Sequence, residues 1–194
     1  PDGTRLAVVA GVSTERLTVD PPGRSYDIET WTNKSIVVMD LLTGATGRLT
    51  SGDVVAMSPA WSPDGESIAY VARPDSGPVP RDPVERAAVE AERRIWVMGS
   101  DGSEPHPLVA GGAICRQELP QWSIDAAAVL FACLDDDGTA SLWLVAADGG
   151  PATKIVASVS PQRFDAGYAP TWPGYSHISW DGLYDWWQKP DGGK

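Results

Sequence analysis

Two histidines and two cysteines are the only imidazoles and thiols in these 194 residues. His106 stands between Pro105 and Pro107, a setting that suits a solvated or hydrogen-bonded ring rather than general acid–base work. His177 lies in Gly174-Tyr-Ser-His-Ile178, which breaks the Gly-x-Ser-x-Gly nucleophile elbow at its last glycine and has no strand-to-helix turn around it. Cys and His do not occur at metal-ligand spacing. Asp135-Asp-Asp-Gly138 clusters carboxylates that could chelate calcium, but the terminal Glu of a calcium loop is absent. A hairpin turn ending in Asp-Gly accounts for the same residues. The sequence thus points to no reaction, and it implies no metal and no cofactor.

The cysteines carry a different chemistry. Cys115 precedes one extended segment and Cys133 ends the next, and the two are equidistant from Ile124, near which the intervening hairpin turns. A regular ladder would place them opposite one another, so the spacing predicts a disulfide, with two buried free thiols as the alternative. Bonded, they imply an oxidising compartment such as a periplasm or the cell exterior.

The elements that position these residues repeat. Ala60 to Ser62 is a short extended segment, Pro63-Asp64-Gly65 has turn chemistry, and Ile68-Ala-Tyr-Val71 is an apolar run of β-formers. Pro-x-Trp recurs at Pro59/Trp61, Pro120/Trp122 and Pro170/Trp172, and a headless copy reads Pro1-Asp-Gly-Thr-Arg-Leu-Ala-Val-Val-Ala10. A third apolar strand and a turn follow each copy: Ile36 to Met39, Ile95 to Met98, Leu142 to Val145 and a degraded Leu183 to Trp187. Short outer strands at Gly47 to Thr50, His106 to Val109 and Thr153 to Val156 complete the first three. Four hairpin-connected strands per repeat make the blade of a β-propeller. The chain reads as all-β, with about four four-stranded antiparallel blades visible, within a larger propeller.

Trp61-Ser-Pro-Asp-Gly65, with Ile95-Trp-Val-Met-Gly-Ser-Asp-Gly-Ser103 and Pro107-Leu108, resembles the TolB-type (WD-like) propeller blade, and Leu142 to Ile155 is similar. Ser123-Ile-Asp-Ala126 departs from it by losing the Pro and Gly of the turn. The resemblance implies a scaffold rather than an activity, and a periplasmic or extracellular setting.

The expected blades are 1–50 without its first strand, 51–110, 111–157, and an incomplete, degenerate fourth at 158–194. Both termini are expected to be cuts in a longer protein, with further blades or a second copy covering the strand edges they leave. A minimal blade needs only a tight link between its second and third strands. The first carries residues 11–34 there and the second residues 73–94. The latter contains a helix: Asp82 as N-cap, Pro83 at its first position, Glu85 three residues after the cap, then alanine and glutamate up to Arg94. Alternating strand directions send both insertions to one face, opposite the Pro-Asp-Gly turns. Pro83, Glu85, Arg86, Glu90, Arg93 and Arg94 are therefore the candidate partner-binding residues. Trp180, Tyr184, Trp186 and Trp187 form a candidate aromatic patch for a sugar or a partner, or a contact between blades.

A net charge of −11 with no basic stripe excludes nucleic acid as the expected partner. No apolar run is long enough to span a membrane. Two functions fit. One is a non-catalytic scaffold that binds a protein. The other is the substrate-gating propeller of a prolyl-oligopeptidase-type serine peptidase, whose blades are similar and whose catalytic domain would lie elsewhere.

Overall fold

The computed structural model describes residues 2–11, 13–18, 25–30, 34–77, 80, 82–111, 115–134 and 140–159. Three antiparallel sheets follow one another along the chain. The first orders β1 (Arg5–Ala10), β4 (Ser35–Asp40) and β5 (Thr46–Arg48). β2 (Ser13–Thr18) and β3 (Ser25–Thr30) form a separate hairpin within the first insertion. The second sheet orders β6 (Val54–Trp61), β7 (Ser67–Pro74), β8 (Arg94–Gly99) and β9 (His106–Pro107), with helix α1 (Pro83–Glu90) between β7 and β8. The third orders β10 (Arg116–Trp122), β11 (Ala128–Leu134), β12 (Ala140–Ala146) and β13 (Thr153–Val159). These are blades of a β-propeller, each ordered as the chain runs.

The turn that opens each blade is set by one carboxylate. Asp64 Oδ1 accepts from Ser62 Oγ at 2.5 Å and from Glu66 N at 3.0 Å, while Ser62 Oγ accepts from Ser67 N at 2.9 Å. Ser123, Asp125 and Ala128 repeat that arrangement without the Pro and Gly, and Ala126 takes φ 57 where Gly65 takes 76. Asp2 accepts likewise from Thr4 N at 3.0 Å.

The Pro-x-Trp repeat also has a physical cause. β6 reaches back to Val54, further than the expected start at Ala60, because Val54 to Met57 pair with Pro74 to Val71 across a bulge. Pro59 lies within that bulge and Pro120 within its counterpart between Glu118 and Gln121, so a residue with no N–H leaves the ladder without breaking the strand. Ser58 and Leu119 absorb the kink at φ 51 and 52. The third blade's hairpin turns about Asp125 and Ala126, with Trp122 opposite Val129, so Cys133 stands opposite Gln117, not Cys115 as a turn about Ile124 would have it.

The blades pack face to face through alternate residues of β7. Ile68, Tyr70 and Ala72 join Ile36, Ala56 and Met98 between the first and second sheets. Ala69 and Val71 join Ile95, Val97, Leu108, Trp122, Val129, Phe131 and Val145 between the second and third. A strand buried on both faces must read as a continuous apolar run, which is why 68–72 alternates nothing. Burial of a side chain such as Phe131 stabilises the fold by roughly 1.5–3 kcal/mol.

β9 ends at Pro107, short of the expected Val109. Leu108 N still donates to Ile95 O at 2.9 Å, but Val109 leaves to bridge Gly150 of the third blade. β13 is longer than expected, running on to Val159. The helix stops at Glu90 rather than Arg94, since Arg94 is already paired with Ala72 as the first residue of β8.

Candidate functional site

Register fixes which end of the blades is elaborated. Ser67 stands opposite Gly99 at the turn end of the second sheet, and Ala72 opposite Arg94 at the other. The 73–94 insertion therefore leaves from the end away from the Asp64 turn. In the first blade Ala10 opposite Ser35 marks the same end, from which the β2–β3 hairpin departs.

Helix α1 begins as the sequence dictates. Asp82, in extended conformation, accepts from Val84 N at 2.9 Å and Glu85 N at 3.0 Å, and Pro83 loses nothing by its missing N–H. One face of it is apolar yet exposed, with Glu85 exposed beside it and Val89 half-buried. Val84, Ala87, Ala88 and Ala91, at helical spacing i, i+3, i+4 and i+7, are all exposed, Val84 to 77%. Glu90 and Arg93 face the body of the protein instead.

That inward side rests on a charged cluster in the seam between the second and third blades. Arg93 forms ion pairs with Glu90 and, at 2.7 Å, with Glu118 of β10, which also takes Arg116 Nε at 2.8 Å. Gln117, fully buried, donates its backbone N–H to Arg93 O at 3.2 Å and accepts from Ile95 N through Oε1 at 2.8 Å. Arg94 Nη1 donates to the carbonyls of Ala91 and Arg93 and, across the seam, of Cys115. Arg73 follows Ala69 and Val71 on the face of β7 toward the third blade and is 2% exposed. Its Nη1 donates to Pro74 O at 3.0 Å, while Nε and Nη2 are buried without a hydrogen-bond partner. Burial works against the charges of Arg73, Arg93 and Arg94 and lowers their pKa values, with Glu118 opposing the effect at Arg93, Asp75 and then Glu92 at Arg73, and Glu92 at Arg94. Guanidinium groups stay protonated regardless.

Cys115 and Cys133 form a disulfide at the edge of this cluster, with a Cα–Cα distance of 5.6 Å. Because Gln117 holds the position opposite Cys133, the bond reaches back diagonally to a residue just ahead of β10. Blade, insertion and seam are thus tied at one point.

The candidate partner-binding residues divide by location. Glu85 is exposed on α1, and Arg86 is half-buried with Nε donating to Pro80 O at 3.1 Å. Pro83 is the first helical residue; Glu90, Arg93 and Arg94 hold the helix to the seam. Sequence reasoning missed Arg73, Arg116, Gln117 and Glu118, and also the outward apolar stripe. Its spacing was legible, but such a stripe ordinarily faces a core. His106 is exposed and its Nδ1 lies 2.8 Å from Glu104 O. His177, Asp135 to Asp137 and the aromatic patch of Trp180, Tyr184, Trp186 and Trp187 lie outside the described residues. Among the described residues no three His, Cys, Asp or Glu side chains are grouped to hold a metal, and no helix is long and apolar enough to cross a membrane.

Fold and repeat together define a β-propeller chain. No family model and no curated sequence matches it. Among solved structures it is similar to a protein assigned as TolB from Agrobacterium tumefaciens, at 23% identity and a TM-score of 0.49, covering 63% of this chain and 40% of that one. It is also similar to the β-propeller domain of the Trilobed protease from Pyrococcus furiosus, at 15% identity and a TM-score of 0.46, covering 79% and 39%. A prolyl endopeptidase structure matches at 16% identity and a TM-score of 0.45, over 79% and 23%. The chain spans less than half the length of each of these.

Proposed function

We propose that this propeller is a non-catalytic scaffold that binds a protein partner through the insertion end of its second and third blades, in a periplasmic or extracellular setting. The observation that carries the reading is the orientation of α1. A helix of two turns does not persist alone in water, and this one is held by its charged side, through Glu90, Arg93 and Glu118, so that its apolar stripe faces solvent. Val84, Ala87, Ala88 and Ala91 have the spacing with which a helix seats in the groove of another protein. The disulfide beside it supports an oxidising compartment.

The test places a photo-crosslinking phenylalanine derivative at Ala88 of the full-length protein in its native cells, with Thr43 at the turn end as control. A partner joined at position 88 and absent at 43 is expected. A Val84→Asp/Ala88→Asp variant should then bind that partner at least roughly tenfold more weakly, the loss of about 1.4 kcal/mol. Equal capture at both positions, or unchanged affinity of the variant, overturns the reading.

A further inference from the structure

We infer that the seam between the second and third blades binds a small monocarboxylate, received by one edge of the Arg73 guanidinium and by the side-chain amide of Gln117. Arg73 is 2% exposed and Gln117 is fully buried. Arg73 Nη1 donates to Pro74 O at 3.0 Å, which leaves Nε and Nη2 buried without an acceptor. Those two N–H groups lie on one side of the planar guanidinium, parallel and at the spacing of a carboxylate's two oxygens. Gln117 is in the same condition: Oε1 accepts from Ile95 N at 2.8 Å, while Nε2 is buried without an acceptor.

The ladder brings the two side chains to one place. Arg73 follows Ala72, whose partner is Arg94, so Arg93 is its neighbour at the insertion end of the sheet. Gln117 arrives there from the third blade, with its backbone N–H on Arg93 O and its side chain on Ile95. Ile95 in turn stands opposite Val71, two residues before Arg73 on the same face of β7. Strands β7 and β10 thus bring Arg73 Nε, Arg73 Nη2 and Gln117 Nε2 to the same short stretch of the seam, at the head of β8.

Charge and shape say what binds. Glu118 takes Arg93 and Arg116, and Glu90 takes Arg93 again, whereas no carboxylate among the described residues is hydrogen-bonded to Arg73. A buried cation without a counter-ion is costly. Water would satisfy its N–H groups but leave the charge, and a planar monoanion answers both. A tetrahedral dianion such as phosphate would bring a second negative charge into a seam that already holds Glu90 and Glu118. The burial of Arg73 also sets the size of the occupant: a free acid about as large as acetate, rather than a side chain carried in by a docked protein.

The probe is sodium acetate, titrated into the intact protein against sodium chloride of equal ionic strength. The readouts are the thermal midpoint and the Arg73 Nε–H resonance, which Arg73→Lys assigns by its loss. Acetate should raise the midpoint and move the resonance along one saturating curve, and chloride should do neither. Arg73→Lys keeps the charge but not the fork, and should hold acetate at least roughly tenfold more weakly. Gln117→Glu keeps an acceptor for Ile95 N and supplies a carboxylate of its own, so its midpoint should not respond to acetate. Arg48→Lys, on the exposed strand β5, should respond as the unaltered protein does. Equal acetate affinity in Arg73→Lys, an undiminished response in Gln117→Glu, or saturation by phosphate and not by acetate overturns the inference. So does a response that never saturates, which is that of an adventitious ion only. Should Arg73→Lys fail to fold, Gln117→Glu decides alone.

Discussion

Gly102 sits where an L side chain has neither the backbone conformation nor the room. Its φ is +87, and a Cβ there would lie 3.1 Å from Leu49 O and 3.3 Å from Leu49 Cα, on the outer strand side of the preceding blade. Gly149 repeats the relation at the same φ against Leu108 O. The recurring Asp-Gly of the sequence is thus a spacing device: the turn between third and fourth strands seats on the neighbouring blade. Gly102→Ala is expected to cost about 1–3 kcal/mol in urea unfolding. Gly44→Ala, with φ +72 but nothing within 4 Å, should cost visibly less. Equal costs would mean that the contact with Leu49 contributes nothing. At this scale much was legible, because turn residues declare themselves by type. Ala126 was not: its turn survives the loss of Pro and Gly because Asp125 and Ser123 hold it from within.

Among the elements, apolar runs revealed β7, β8, β11 and β12, since strands buried on both faces cannot hide. The lengths of β6 and β10 were harder. Their first halves are separated from Pro-x-Trp by a bulge, and the clue was the proline itself, which a continuous ladder does not tolerate. The cysteines bond without standing opposite each other because the hairpin turns at Asp125 and Ala126 rather than at Ile124. The charged seam was illegible for another reason: Arg73, Arg93 and Glu118 are far apart in sequence, and only blade packing brings them together. Reducing the disulfide, whose cysteines are 18 residues apart, should lower stability by about 3 kcal/mol in the chain-entropy estimate. The measurement is the urea midpoint with and without reductant. A Cys115→Ser/Cys133→Ser variant should be insensitive to reductant, and sensitivity there would locate the effect elsewhere.

For the whole molecule, the turn carboxylates set the response to acid. Asp64 and Asp125 are held below the ordinary aspartate value of 3.8, first by the hydroxyls of Ser62 and Ser123. Asp2 and Asp40 are held down by the backbone N–H groups of Thr4 and Thr43, and Asp101 by the Ser103 hydroxyl. The unfolded chain therefore takes up protons before the folded one. The stabilisation is present above pH 3.8 and is lost as the pH falls through the lower folded values. Unfolding followed from pH 7 to pH 2 should show a decline beginning near pH 4 and shallower in an Asp64→Asn/Asp125→Asn variant. An unchanged slope in that variant would remove these two turns from the account. β7 has a wider consequence. Its even residues belong to one core and its odd residues to the next, so it is a party wall rather than an outer one. Neither seam can loosen without exposing a face of the same strand, and the three blades are bound to share one melting event.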